Sequence, residues 1–417
     1  MPKTKKIKKV KKVKKVKNAK IKNKSKLAVK VIDKKNTIPG AEEKPEIEDI
    51  GRSWFRKLEE GDDEARSLWN WCIELSWKEF RGIYGELGIS FTENNGRGYG
   101  ESFFEDKMSE VVSLLEEKLT PEDAVKNGAH YAEGDNGAKL IFFEDEKYPP
   151  MMLMKKDGAT LYSTRDFATD YFRLAQYDNP DLIVNEVGAE QSLYFEQLYK
   201  VEQIMGWYKP GQRVHVKHGL YRFKDKKMST RRGNVIWLED VIAEAKKRAE
   251  ALSPDKKHIA HVVAIGALKW NDLKSETTRD IIFDWDDLLS MKGNSGPYIQ
   301  YATVRAKSVL RKAALEEFYP GFGDDSWKLD KDEMSLVRHL DRFTEVVEQA
   351  AKEFAPHHLA TYLFELAQRF NGFYNTHPII NAENSDARER RCTLTQVAAK
   401  VLEYGLSLLG IQTPEEM

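Results

Sequence analysis

Apolar residues recur at helical spacing over most of the chain, interrupted by a few short runs that read as strands. Trp54, Phe55 and Leu58, then Leu68, Trp69, Ile73, Leu75 and Phe80, predict early helices whose stripes are buried. Residues 139–143 form a short apolar strand, punctuated by Pro149-Pro150. From 151 to about 252, strands such as Leu182-Ile183-Val184 and Val214 through Tyr221 alternate with helical patterns. One helix begins near Arg165, with Ser163 or Thr164 as its cap and Phe167, Tyr171, Phe172 and Leu174 on one face. Alternation of this kind predicts a parallel α/β sheet. After about Ser253 the pattern is helical to the end. Leu336, Leu340, Phe343, Val347, Ala350 and Phe354 make one stripe. Leu359, Tyr362, Leu363, Leu366 and Phe370 make a second, and Leu394, Val397, Val401, Leu402 and Leu409 a third. Three such stripes predict a packed bundle. The expected fold class is therefore α/β followed by all-α.

Charge changes this picture at one end. The 417 residues carry 67 Lys/Arg and 67 Asp/Glu, a formal net charge of zero. Residues 1–35 hold 17 of the Lys against Asp33 alone, which leaves 50 Lys/Arg and 66 Asp/Glu, a body near −16. The leader has too few large side chains to bury and too much self-repulsion to fold alone, so it is expected to be disordered. It suits sequence-independent contacts to RNA phosphates, or merely solubilises the chain. No apolar stretch of signal-peptide length follows the positive run, and the longest apolar patch, residues 262–268, is too short to span a bilayer. A cytoplasmic protein with no membrane partner is expected. Cys72 and Cys392 are the two cysteines, far apart, which excludes a disulfide framework and a thiolate zinc site.

The chemistry concentrates in Lys226-Lys227-Met228-Ser229-Thr230-Arg231-Arg232-Gly233-Asn234, between a strand pattern and a helix pattern. Lysine, arginines, hydroxyls and a glycine before a helix can wrap the oxyanions of a triphosphate with charge-assisted hydrogen bonds. The plainer alternative is a solvated basic turn. By contrast Asn94 through Gly100 has spaced glycines but no strand feeding it, so it reads as a flexible loop rather than a dinucleotide fingerprint. Tyr162 and Asp166, four apart at a helix start, lie on one side of that helix. An aspartate there can take a guanidinium bidentately beside a tyrosine ring, or it can simply answer the helix dipole. His215 and His218 are three apart in an alternating strand, so they face opposite ways, which argues against joint metal ligation. No metal ligand set is expected.

Lys227 through Arg231 resembles the Lys-Met-Ser loop of class I aminoacyl-tRNA synthetases, and with Arg232-Gly233-Asn234 and Leu238 through Val241 behind it resembles the arginyl-tRNA synthetase family. Further runs resemble that family in order: Asp157 through Asp166, Val187 through Gln191, Tyr298 through Ala302, Phe370 through Tyr374 and Leu408 through Ile411. The similarity runs from about Ile47 to the end. It implies a partial Rossmann-like class I catalytic domain with a C-terminal helical anticodon-binding bundle. The implied division is 1–45 leader, 46–150 insertion, 151–252 second half of the catalytic domain, 253–300 helical connector and 301–417 anticodon-binding domain.

What the resemblance implies for the site is arginine held by Tyr162, Asp166 and Gln191. Lys227 and Arg231 act on the reacting phosphates, with Met228, Ser229 and His215 on ATP. The cofactors implied are ATP with its Mg2+; the partners are arginine and its tRNA. Basic and aromatic residues of the bundle such as Tyr301, Arg305, Lys307, Arg311 and Asn375 suit stacking or phosphate contacts to RNA, with surface salt-bridging the plainer role for any one of them. Tyr194 stands where the family has a histidine. A larger departure is the absence, before Lys227, of the His-x-Gly-His signature that class I enzymes set opposite the Lys-Met-Ser loop; His258-Ile259-Ala260-His261 lacks the glycine and follows the loop. The expected function is ATP-dependent arginine–tRNA ligation, incomplete without an N-terminal catalytic half, the chain being either part of a split enzyme whose other half is a separate chain or a truncated product. The alternative is a non-catalytic RNA-binding derivative of the synthetase.

Overall fold

The computed structural model describes residues 47–134, 136–156, 158–223, 237–313 and 327–417. Contacts divide the chain into two units, Met1–Glu79 and Phe80–Met417. The first contains α1 (Ile47–Glu59) and most of α2 (Asp63–Leu87), joined through Gly61, whose φ of +80° suits a residue without a Cβ. Asp62 caps α2 by accepting the Ala65 amide at 3.0 Å. The predicted helices form, but their stripes are not buried as expected. Phe55 is 58% exposed, Leu68 50% and Leu75 47%, and among the residues between 47 and 79 whose burial is described Ala65 alone is buried. Apolar side chains spread round two helices exceed what one hairpin can cover. Phe80, in the second unit, is likewise exposed.

The second unit opens with a turn in which Asn94 and Asn95 adopt positive φ, braced by Asn94 Nδ2 donating to Gly98 O at 2.8 Å. A 3-10 turn, Glu101–Lys107, leads into α3 (Met108–Lys118) and the short α4 (Ala124–Asn127). Three strands, β1 (Ala129–Glu133), β2 (Lys139–Phe143) and β3 (Met151–Met154), form an antiparallel meander, so β3 does not join a parallel sheet. Next comes α5 (Tyr162–Gln176). It starts three residues earlier than the sequence suggests, and Ser163 and Thr164 do not cap it. Their hydroxyls donate instead to the Met152 and Leu153 carbonyls, both at 2.6 Å, and so pin the helix start to β3. Phe104, Leu115, Ile141, Leu153 and Phe167 share a core that clamps α5 from the insertion side.

The parallel element is β4 (Ile183–Gly188), α6 (Ser192–Met205) and β5 (Arg213–His218), with Asn185 opposite His215 and Gly188 opposite His218. Ligands of such units collect at the carboxyl ends of the strands, where Gln191 and the start of α6 lie. The run expected as one strand through Tyr221 breaks at Gly219, where a Cβ would strike the Arg279 carbonyl. It resumes as β6 (Tyr221–Phe223), after which come α7 (Leu238–Leu252) and α8 (Ala260–Leu273). β6 pairs in parallel with β7 (Ile281–Phe283), a strand inside the stretch expected to be wholly helical. Only three residues long, it gives too little periodicity to compete with the helices around it.

After α9 (Trp285–Leu288) follow α10 (Gly296–Lys312), α11 (Lys331–Asp341), α12 (Phe343–Glu353), α13 (Pro356–Thr376) and α14 (Ser385–Leu408). The predicted 336–354 stripe is split between α11 and α12. Ile299, Leu336, Leu363, Leu366, Phe370, Leu402 and Leu406 form the bundle core, and Trp270 of α8 inserts into it. Each such side chain contributes about 1.5–3 kcal/mol by leaving water. Asp330 and Glu333 close a capping box on α11, while buried Glu333 also receives Arg390 Nε at 3.1 Å.

Candidate active site and helical groove

The starts of α5 and α6 meet. Tyr162 opens α5, Asp166 lies one turn along it, and α6 arrives from the carboxyl end of β4 through Gln191. The Tyr194 hydroxyl, in the first turn of α6, donates to Asp166 Oδ2 at 2.5 Å. Its ring meets Tyr162 edge-on, with centroids 4.9 Å apart. The structure thus brings Tyr162 and Asp166 together through Tyr194, the residue that departs from the family pattern. Among the described residues Asp166 Oδ1 receives no hydrogen bond, and Tyr162 is 57% exposed. Burial pushes the Asp166 carboxyl above the usual carboxylate range; the Tyr194 hydrogen bond opposes this, Asp170 and Glu101 add to it, and Arg173 again opposes. Burial and the neighbouring acids thus favour the neutral carboxyl, a bias that a cation placed beside it would reverse. Gln191 is exposed, one turn before Tyr194.

One turn beyond Asp166 lies a second carboxylate that sequence reasoning missed. Asp170 accepts Arg213 Nη1 at 2.9 Å and Arg173 Nη1 at 2.7 Å, and also holds Arg213 Nη2. Glu202 Oε2 lies 3.1 Å from Arg213 Nε. The Arg213 guanidinium is flanked by the Tyr199 and Tyr208 rings at 4.9 and 5.0 Å. Asp170, Glu202 and Arg213 are all buried. The available signal was an arginine opening an alternating strand, Arg213-Val214-His215-Val216: a charge entering a core needs acids to meet it.

His215 Nε2 sits 3.0 Å from the Val187 carbonyl, and its ring lies 4.5 Å from that of Phe195 on α6, with Nδ1 buried and unpaired. His218 instead has Nδ1 at 2.8 Å from Gly219 O and Nε2 at 3.7 Å from Glu186. The two histidines share no partner. Lys227, Met228, Ser229 and Arg231 lie outside the described residues, as does the Lys-rich leader. Among the described residues no group of three His, Cys, Asp or Glu is placed to hold a metal, and no helix is long and apolar enough to cross a membrane.

On the bundle, Tyr301, Arg305 and Arg311 of α10 line a cavity of 740 Å³ together with Tyr374 and Asn375 of α13. Arg305 donates to Asn371 Oδ1 and to the Tyr301 hydroxyl, each at 3.0 Å, and its guanidinium lies 4.6 Å from the Tyr301 ring and 5.2 Å from that of Tyr374. Lys307 is not part of this groove. Two residues after Arg305 the helix has turned, and its ammonium pairs with Glu403 at 2.9 Å.

A parallel βαβ unit with a partly buried acid at the junction of its helices, followed by a helical bundle, fits the arrangement of a class I tRNA synthetase. Residues 7–285 match the family of "tRNA synthetases class I (R), catalytic domain" and residues 299–417 the "DALR anticodon binding domain". The match reaches 40 residues further toward the amino terminus than the motifs had suggested. The chain belongs to the arginine-type class I tRNA synthetase family. It is 40% identical over 384 residues to an arginine–tRNA ligase of Streptococcus suis, covering 90% of this chain and 65% of that one. It spans less than two thirds of that relative's length. Among solved structures it is similar to Thermus thermophilus arginyl-tRNA synthetase, at 28% identity and TM-score 0.64, over 75% of this chain and 58% of that one. It also shares the fold of a Plasmodium falciparum arginyl-tRNA synthetase, at 24% identity and TM-score 0.71, over 89% and 62%.

Proposed function

We propose that the chain binds arginine at Tyr162, Asp166 and Gln191 and takes part in ATP-dependent joining of arginine to its tRNA. The observation that carries this reading is the Asp166 carboxylate, partly buried and hydrogen-bonded by Tyr194, whose ring in turn meets that of Tyr162, with further acids nearby, which suits a guanidinium held against an aromatic ring. The arginine carboxylate attacks the α-phosphorus of ATP, which enters with Mg2+ as part of the substrate, and pyrophosphate leaves. Charge then builds on the departing phosphates. Lys227 and Arg231, with Met228, Ser229 and the loop amides, meet that charge in the transition state, while His215 borders the adenosine. The arginyl group next passes to the terminal ribose of tRNA, whose anticodon stem meets the bundle at Tyr301, Arg305 and Arg311. The leader adds phosphate contacts without sequence preference. In this reading residues 46–150 act as an insertion, 151–252 as the second half of the catalytic domain and 301–417 as the anticodon-binding domain, all working in the cytoplasm.

The 65% coverage leaves a third of the relative's length unmatched, and the His-x-Gly-His function would come from a separate chain. Arginine-dependent exchange between ATP and pyrophosphate tests this. The chain alone is expected to be inactive and to gain exchange when a fragment bearing that signature is added. Robust exchange by the chain alone overturns the need for a companion. If arginine fails to bind either the chain or the mixture, the arginine reading itself is overturned.

A further inference from the structure

We propose that Tyr194 is a positioning residue for arginine recognition: its hydroxyl donates to Oδ2 of Asp166, fixes the carboxylate, and leaves Oδ1 and the second lone pair of Oδ2 to the ligand. This rests on the arginine reading above and deepens it. Two tyrosines and a carboxylate make up the cluster, and the hydroxyl nearest the acid belongs to the one whose ring is packed between Tyr162 at 4.9 Å and Phe195 at 5.4 Å. Packed on both sides, the ring cannot swing away without opening the junction of α5 and α6. A carboxylate oxygen keeps a second lone pair after accepting one hydrogen bond, as Asp170 shows by holding the Arg213 fork with both oxygens while Oδ1 also accepts from Arg173. Tyr194 therefore sets the plane in which the fork meets Asp166 without blocking either oxygen.

A second consequence is electrical. The groups that face Asp166 are Tyr194 from α6, Asp170 and Arg173 from α5, and Glu101 from the preceding 3-10 turn. Burial and the two acids favour the neutral carboxyl; Tyr194 and Arg173 favour the charged one. The Tyr194 phenol is itself pushed well above its ordinary range, first by burial and then by Asp166, so it stays a donor at any working pH. A permanent donor to a carboxylate stabilises the ionised form that a cation needs.

The test is Tyr194→Phe, which removes the hydroxyl and keeps the ring. Arginine binding to the full chain is measured by calorimetry across pH 4 to 8, beside Asp166→Asn. The Asp166 carboxyl is titrated by 13C NMR in the absence of arginine. Y194F is expected to weaken arginine about tenfold near neutral pH, and to move both the binding midpoint and the Asp166 titration upward. D166N is expected to abolish binding. Weakened binding with an unmoved Asp166 titration would mean a purely structural role and overturns the proposal, as does unchanged or tighter binding. Because the titration needs no ligand, an upward shift with no arginine binding in either protein sinks the proposed function and the recognition role together while leaving the Tyr194 effect on Asp166 standing. Should Y194F fail to fold, 3-fluorotyrosine at position 194 keeps the shape and strengthens the donor. The Asp166 titration must then move down, and no movement refutes the coupling.

Discussion

Asp170 accepts two donors from the guanidinium of Arg213 while Asp166, one turn earlier on the same helix, keeps one oxygen free of the protein. The same helix face thus carries two acids with different tasks. Asp170 is satisfied inside the fold by Arg213 and Arg173, and two tyrosine rings cover the guanidinium it holds. Satisfying Asp170 internally fixes α5 against β5, because Arg213 opens that strand and cannot leave a buried site without stranding Asp170 and Glu202.

Within that network Glu202 is fully buried, and burial, with Asp170 beside it, holds its carboxyl well above the usual range. An acid whose folded-state pKa is raised contributes stability that is complete below its unfolded value, near 4.5, and is lost as pH rises through the folded value. Glu202→Gln removes this titration and keeps the shape. The difference in unfolding temperature between E202Q and the parent is therefore expected to grow in favour of E202Q as pH rises above 4.5, in paired thermal melts from pH 4 to 8. Asp170→Asn should instead cost about 3–5 kcal/mol at neutral pH, because it leaves Arg213 without its bidentate partner. A gap between E202Q and parent that stays flat over the range would show that Glu202 does not titrate in that window.

Gly266 of α8 and Gly296 of α10 let the two helices touch. A Cβ on Gly296 would lie 2.6 Å from the Gly266 carbonyl oxygen, while one on Gly266 would strike the side chain of Gln300. Backbone cannot yield as a side chain end can. Gly296→Ala is therefore expected to destabilise by about 1–3 kcal/mol through overpacking, and Gly266→Ala by less, since Gln300 has only its bonds to Val262 O and Gln412 O to give up. Denaturant midpoints of the two variants check the order. The reverse order would mean that Gln300, buried with Oε1 unpaired, matters more than the helix approach.

Much of this was readable in the chain, and the failures have physical causes. The βαβ unit and the existence of a helical bundle follow from spacing, because most of their elements are long enough to show their period; the break between α11 and α12 does not, since the 336–354 stripe runs across it. Tyr162 and Asp166 were singled out because they match a run of the arginyl family; their spacing of four only allows them to share one side of a helix start, and by itself left Asp166 as readily a charge answering the helix dipole. Tyr194 was noticed only as a departure: its contact with Asp166 joins two helices through the packing of β4, which no local pattern encodes. The Arg213 network was missed for the same reason, its members coming from α5, α6 and β5. The exposed stripes of α1 and α2 were misread because periodicity reports an apolar face and not whether anything covers it. Lys307 was grouped with Tyr301 and Arg305 by sequence proximity, yet two residues along a helix turn a side chain about 200° away.

That last separation gives the sharpest test of the bundle. Tyr301, Arg305 and Tyr374 form a stack of ring, guanidinium and ring at the edge of a groove that also holds Arg311 and Asn375. An unstacked base entering the groove finds a π-face and a fixed cation together, worth about 1–3 kcal/mol per base stacked. Tyr301→Ala should accordingly weaken binding of tRNA for arginine about 5- to 150-fold in filter binding at fixed salt, and weaken other tRNAs less. Lys307→Ala should change binding little, since that ammonium is taken up by Glu403 and Glu415 and does not line the groove. Equal losses for Y301A across all tRNAs would reduce the groove to a phosphate contact. A larger loss from K307A than from Y301A would move the RNA to the other side of α10.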